Sequence, residues 1–456
     1  MSSSANALSR TINSSSWLPS LTGVLLATGF IYFWIFPFFH PRGDFLWGHY
    51  RLKDIYLGIP VAVATLCAIV IIAMPARYRR ALSLRIVTVA ISVLLVLAVF
   101  DAGYAFVVMG VLRPNVWLDR GSISRRYSTA DSELGFVRKP GISWRRYVSS
   151  VNRTVDYHTD ENGFRNPPRT QHADIVFIGD SYTEAATVAE EDTFVRRMVH
   201  LTGLSAVNLG RGAYGPSQEQ IVLRRYGLSY EPRAVVWQLF EGNDLVDAEV
   251  FDKWKQNPHL ATTSLKDRYF SNSLLNQWLS NTRPREYIGA KVTLQYPDGT
   301  AIRFKLRHRY NPDQPATMQL GMNETIAAIE AGYKLCQSHG IQLLVVSVPT
   351  MARVMEPYIS FDHVEDRTSY LPARQAGHKD FSGRIAELCA RIGCSYIDAF
   401  EALRQAAANG NHSLYIPNDE HLDVGGHVVI AQLIAGWLRE KNKGDQQSWT
   451  NNKAHP

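Results

Sequence analysis

Apolar residues crowd into three long runs before residue 112 and alternate with polar ones thereafter. The runs are Trp17 to Phe39, Ile55 to Met74 and Ile86 to Gly110. The first two carry no charge, and the third is broken once, by Asp101. Each reaches the roughly 18–20 residues that carry a helix across a hydrocarbon core of about 30 Å. Trp17, Trp34 and Tyr56 lie toward run ends, where interfacial aromatics sit. The pattern predicts an anchor over residues 1–110, a bundle of three transmembrane helices at about 17–39, 55–74 and 86–110, with the lipid bilayer as partner. The first run is too long for the apolar part of a signal peptide, and no small-residue cleavage pattern follows it. Arg77, Arg79, Arg80 and Arg85 mark the loop between the second and third runs as cytoplasmic. An odd number of crossings then puts everything after Gly110 on the periplasmic or outer side of an inner membrane. Arg42, Arg51, Lys53 and the basic residues from Arg113 to Arg126 weigh against that orientation. Asp101 is an acid within an apolar run, the kind of residue that has a partner or a task.

Beyond residue 110 the pattern is mixed. Residues 111–172 read as a juxtamembrane segment with short strands; Val155 to Thr159 alternates like one. From 173 to about 440, short apolar runs take turns with segments of helical spacing. Expected strands are Ile175–Ile178, Ala206–Leu209, Ala234–Phe240, Ile341–Val348 and Cys394–Ile397. Expected helices are Thr193–Thr202, Gln218–Tyr226, Thr325–His339, Phe381–Ile392 and Val428–Leu438. Alternation of this kind predicts an α/β fold, a parallel sheet covered on both faces. Between about 247 and 318 the pattern breaks. There Pro297-Asp298-Gly299 separates two alternating stretches, an inserted β-hairpin. The tail 441–456 is polar and reads as disordered.

Ligands of such sheets bind beyond the carboxyl ends of the strands, so the strand-end loops are where chemistry is expected. They hold Gly179-Asp180-Ser181, then Asn208 to Gly215, then Gly242-Asn243-Asp244; Asp419-Glu420-His421 stands before the last helix. These four blocks, in this order, resemble the SGNH (GDSL-type) esterase and acyltransferase superfamily over residues 173–440. The resemblance implies a flavodoxin-like three-layer α/β/α domain with a parallel sheet. It also implies a Ser-His-Asp enzyme acting on esters, a hydrolase or an O-acyltransferase. Ser181 would be the nucleophile, His421 its base, and Asp419 the acid that fixes the His421 tautomer. The oxyanion donors would be the Ser181 N–H, a backbone N–H of the second block and the Asn243 amide. Two departures stand out. Five residues after Asn208 the chain has Ala213, with Gly212 beside it, where the family commonly has glycine. Three residues before His421 it has Asn418, which carries no charge, so the acid is assigned to Asp419.

The 456 residues carry 48 Lys+Arg and 41 Asp+Glu, a net charge of +7. The basic excess flanks the apolar runs, which suits anionic headgroups and gives no nucleic-acid partner. Four cysteines exclude a disulfide framework. Gly210 to Gly215 matches a dinucleotide-binding fingerprint, and Glu241 ends the next strand, but the fingerprint falls on the second strand of the domain. Asp419, Glu420, His421 and Asp423 lack a second metal-binding motif. No cofactor and no metal are expected. Membrane-anchored relatives point to acylated, chiefly acetylated, glycans of the cell envelope as substrate, with other envelope-polysaccharide proteins as partners. The alternative is a non-catalytic glycan-binding or scaffold protein on the same fold.

Overall fold

The computed structural model of the chain describes residues 27–39, 58, 61–66, 68–69, 73, 75–112, 126–258, 264–276, 290–306, 315–363 and 381–444. The chain divides into two compact units, Met1–Gly110 with Asn272–Pro284, and Val111–Ser271 with Arg285–Pro456.

In the first unit the earliest apolar run is helical over Ile31–Ile35 and Phe36–Phe39. The Trp34 indole N–H donates to the Gly58 carbonyl at 2.9 Å. A Cβ at Gly58 would lie 2.9 Å from that indole nitrogen, so glycine permits the approach. Helix α1, Ala76–Gly103, continues as a π-helical turn over Tyr104–Val108. It starts just after Pro75, so the segment Arg77–Arg85, expected as a loop, is helical; Ala, Arg and Leu favour helix there. Among the described residues one window, Ile91–Val108, is long and apolar enough to span a membrane, and 11% of it is buried. The expected three-helix transmembrane bundle is therefore not supported as such. The first two spans lie partly outside the described residues, and no second described helix meets both criteria.

Asp101 has a partner. Its carboxylate accepts from the Ser273 hydroxyl at 2.8 Å and the Leu275 N–H at 3.1 Å. Asp101, Ala105 and Met109 are buried at a spacing of four, one face of the helix, whereas Val93, Leu94, Leu95, Val96 and Leu97 are each more than half exposed.

The second unit opens with two antiparallel pairs, β1 (Ser128–Asp131) with β2 (Gly135–Arg138) and β3 (Ser143–Val148) with β4 (Arg153–His158). Strand β5 (Ile175–Ile178) leads into a one-turn helix α2 (Ser181–Glu184) and then α3 (Phe194–Thr202). Strand β6 (Ala206–Asn208) precedes α4 (Pro216–Arg225), and β7 (Ala234–Phe240) precedes α5 (Asp244–Gln256). Helix α6 (Leu265–Asn272) and the hairpin β8 (Ala290–Gln295) and β9 (Ala301–Leu306) follow. Then come α7 (Pro315–Ser338), β10 (Gln342–Val348), α8 (Met351–Met355) and β11 (Ile359–Phe361). The chain closes with α9 (Gly383–Ile392), β12 (Ser395–Asp398), α10 (Phe400–Ala408) and α11 (Val424–Gly444).

Five strands form one parallel sheet in the order β12-β10-β7-β5-β6. Numbered along the chain, this is the flavodoxin-like order 2-1-3-4-5. Alternate residues feed two cores. Ile175, Phe177, Val236 and Val346 pack with α3, α10 and α11 on one face. Val176, Ile178, Trp237 and Val345 pack with α4, α5, α7 and α9 on the other. Both faces are covered, which is why these strands read as continuous apolar runs.

The interruption is narrower than 247–318, because α5 runs to Gln256 and α7 begins at Pro315. β11 pairs with β8, so the hairpin is part of a three-stranded sheet. Its Val292, Leu294, Phe304 and Leu306 join the first core. Helix α11 reaches Gly444, so the start of the expected tail is helical; 445–456 lie outside the described residues.

Candidate active site

The loop after β5 is a forced turn. Gly179 has φ +154°, and a Cβ there would lie 2.4 Å from Thr183 Oγ1 and 2.7 Å from Gln238 Oε1. Asp180 then caps α2: its Oδ1 accepts the Tyr182 N–H at 2.9 Å, a contact worth about 1 kcal/mol. Ser181 is thereby the first helical residue at the end of a central strand. An N–H at that position has no intrahelical acceptor.

The segment before α11 brings His421 to it. His421 Nε2 lies 2.8 Å from Ser181 Oγ, and Asp419 Oδ1 takes His421 Nδ1. With the carboxylate on Nδ1, that nitrogen carries the proton and Nε2 presents a lone pair to the serine hydroxyl. The loop is tight: the Asp419 and Glu420 N–H groups both donate to the Ile416 carbonyl, and Asn418 and Glu420 have φ of +63° and +70°. It is fastened on several sides. Asn418 Oδ1 accepts the Lys305 N–H of β9 at 2.8 Å. Asp423 pairs with Arg153 of β4 at 2.7 Å. The Tyr182 hydroxyl donates to the Glu420 carbonyl at 2.7 Å, and its ring stacks on Phe240. Asn418 is thus spent on β9, and Asp419 meets the histidine. His427 is elsewhere. It is buried, and its Nδ1 accepts the Phe194 N–H at 3.2 Å. Burial, then nearby Arg165 and Arg197, push it down to about 3, a neutral ring.

The candidate oxyanion donors sort themselves by who already uses them. The backbone of Gly212 lies beside Ser181, since a Cβ there would be 3.4 Å from Ser181 Cβ. The Gly212 N–H, however, donates to Glu184 Oε2 at 2.6 Å. The Ala213 N–H has no acceptor among the described residues, and Ala213 sits at φ +67° in a turn closed by Tyr214 N–H to the Arg211 carbonyl. Asn243 heads α5 beyond β7, the strand paired with β5. Its amide does not cap the helix; it donates one N–H to Asp247 Oδ2 at 2.7 Å, which leaves the second amide proton. Asn243 Oδ1 is buried without a hydrogen-bond partner among the described residues.

Buried carboxyl groups flank the site on two sides. On one, Glu184 accepts from Arg138, Arg211, the Tyr157 hydroxyl and Gly212. Burial alone would raise its carboxyl, but the two guanidinium groups outweigh that and hold it low. On the other, Glu219 and Asp244 are fully buried, and Asp180 and Asp247 add to their repulsion. Burial and those neighbours push both well above the usual carboxylate range. Asp244 Oδ2 accepts the Phe240 N–H at 2.8 Å, and Glu219 Oε2 the Trp237 indole N–H at 2.7 Å.

The dinucleotide fingerprint has other work. Gly210 and Gly215 make room for the Glu184 and Ala248 backbones, and Glu241 is held by Arg353 and Thr350. Among the described residues no group of three or more His, Cys, Asp or Glu is placed to hold a metal ion.

No protein-family model and no curated protein matches the chain. Among solved structures it is similar to a GDSL-like lipase from Bacteroides thetaiotaomicron. That match has 13% identity and a TM-score of 0.32, covering 59% of this chain and 88% of the lipase. It is also similar to an acetylxylan esterase from Geobacillus stearothermophilus, a catalytic mutant. There the identity is 13% and the TM-score 0.32, with 59% and 93% covered.

Tyr182, Glu184, Arg138, Arg211 and Asp247 escaped the sequence reading. Thr183-Glu184 stands two residues after Ser181 and could have drawn attention. Arg138 and Tyr157 gave no signal, because nothing local ties the first strand pairs to the sheet.

Proposed function

We propose that this chain is a serine-nucleophile enzyme of the SGNH type, an esterase or O-acyltransferase, held to a membrane by its N-terminal helices. The observation that carries the reading is the hydrogen-bonded series Ser181, His421 and Asp419, assembled from loops 240 positions apart at the carboxyl end of the sheet. Ser181 attacks an ester carbonyl while His421 takes its proton. The oxyanion that develops is met by the N–H groups of Ser181 and Ala213 and by the Asn243 amide. His421 returns the proton to the leaving alcohol, and an acyl-Ser181 intermediate remains. Water releases the acyl group in an esterase, and a sugar hydroxyl does so in a transferase. An acetylated polysaccharide of the cell envelope is the substrate we put first.

The anchor reading rests on α1. Leu94, Leu95, Val96, Val99 and Phe100 are each 65% or 66% exposed, or 63% for Leu95. A helix apolar all round requires apolar surroundings. The basic stretch Arg77–Arg85 is assigned to the cytoplasmic side and the sheet domain to the outer side.

A fluorophosphonate probe tests the nucleophile. Full-length protein in detergent should be labelled on Ser181 alone, with no labelling in His421→Ala. Labelling at another serine, or equal labelling of both proteins, contradicts the reading. With an acetyl donor and candidate glycans, mass gain on the glycan identifies a transferase, and free acetate alone identifies a hydrolase.

A further inference from the structure

The carboxylate of Glu184 is hydrogen-bonded to neither Ser181 nor His421, yet it is the most heavily bonded side chain near them. Its Oε1 takes Arg138 Nη2 at 2.8 Å, the Tyr157 hydroxyl at 2.6 Å and Arg211 Nη1 at 2.9 Å. Its Oε2 takes the Gly212 N–H at 2.6 Å and Arg211 Nη1 at 3.0 Å. Glu184 is 4% exposed and Arg211 3%. A charge this deep is held only by such pairing.

We infer that Glu184 is the positioning residue of the oxyanion loop, and that the strand pairs before the sheet, residues 128–158, are part of the catalytic apparatus. The inference rests on the esterase reading above. Two adjacent N–H groups, of Gly212 and Ala213, compete for the role of second oxyanion donor. Glu184 takes the first and leaves the second. The turn this imposes puts a non-glycine residue at φ +67°, a conformation an alanine holds only when its surroundings dictate it. The surroundings are supplied from residues 128–158. Arg138 ends β2 and Tyr157 lies in β4, and both fix the carboxylate that fixes Gly212. The same segment grips the far end of the loop: the Tyr214 hydroxyl donates to the Phe136 carbonyl at 2.6 Å, and Gln218 Nε2 to the Leu134 carbonyl at 2.7 Å. The loop between β6 and α4 is therefore clamped at both ends by a segment outside the parallel sheet. The clamp also places two guanidinium groups against one carboxylate. Arg165 adds a third cation, bonding the Glu184 and Val188 carbonyls.

The test is a comparison of full-length wild type with Glu184→Gln, Arg138→Met, Arg138→Lys and Tyr157→Phe, each on an acetyl ester and with a boronic acid that forms a tetrahedral anion on Ser181. Glu184→Gln and Arg138→Met should lower kcat about 10- to 100-fold with KM within about 3-fold. Affinity for the boronic acid should fall in parallel, and Arg138→Lys should recover part of both. Tyr157→Phe, the mildest change, should lower kcat a few-fold and serves if Glu184→Gln does not fold. Folded Arg138→Met and Tyr157→Phe with unchanged kcat and boronic acid affinity overturn the inference. So does a loss confined to thermal stability. If Ser181→Ala is as active as wild type, it is the esterase reading that fails instead.

Discussion

Buried carboxyl groups flank Ser181, Glu184 on one side and the pair Glu219 and Asp244 on the other, and the two sides solve the same problem in opposite ways. Beside the Gly212–Ala213 turn, Glu184 keeps its charge because Arg138 and Arg211 close on it. Beside Asn243, Glu219 and Asp244 have other carboxyl groups as neighbours, and burial together with those neighbours pushes both well above the usual carboxylate range. The first side uses ionised pairing to hold a backbone N–H away from the site. The second has raised carboxyl groups that accept from the Trp237 indole and the Phe240 backbone and have no guanidinium partner among the contacts that shift them. Depth alone does not decide ionisation; the partner does.

The difference predicts opposite pH behaviour. Glu184 is held below its unfolded value. Its stabilisation is present above about pH 4.3 and is lost as pH falls through the folded value. Glu219 and Asp244 are raised. Their contribution is complete below about pH 4 and is lost as pH rises through the folded values.

Substitutions separate the two sides. The largest effect is expected at Asn243. Asn243→Ala should lower kcat about 100- to 1,000-fold with little change in KM, as loss of an oxyanion donor does; steady-state kinetics on an acetyl ester checks this. A rise in KM alone would assign Asn243 to substrate binding. Next comes Glu219→Gln, which replaces a raised carboxyl by its neutral isostere. Thermal unfolding at pH 4 should match wild type. Above that the variant should gain on wild type, by up to about 1.4 kcal/mol per pH unit for one group. An equal shift at pH 4 and pH 8 would mean that Glu219 titrates in the fold as it does in the unfolded chain, and would contradict the raised value. The smallest effect is Ala213→Gly. Removing the Cβ from a left-handed position should stabilise the protein by about 1 kcal/mol, visible as a higher Tm, with kcat within about 2-fold. A clear loss of activity would show that the alanine methyl itself is needed.

Much of this was legible in the chain. The strands Ile175–Ile178 and Ala234–Phe240 stand where the apolar runs put them, because a strand buried on both faces leaves an unbroken apolar signature. Ser181 was readable at a strand end, and Asp419 and His421 before the last helix, and the structure brings the three together. The choice between Gly212 and Ala213 was not readable. It depends on which N–H Glu184 reaches, a contact that Arg138 and Tyr157 set from 46 and 27 positions away. Helix α10 was missed because its apolar face is small, only Leu403 and Ala407 being fully buried. The helical stretch Arg77–Arg85 was missed because the dense charge reads as a loop, although arginine is a good helix former.

The central claim is that Ser181 is the nucleophile of an ester-cleaving or ester-transferring site. Hydrolysis of a chromogenic acetyl ester by the purified full-length protein, beside Ser181→Ala, tests it directly. Measurable turnover is expected in wild type, with a loss of at least about 10,000-fold in kcat for Ser181→Ala and the fold unchanged. Equal rates for the two proteins would contradict it.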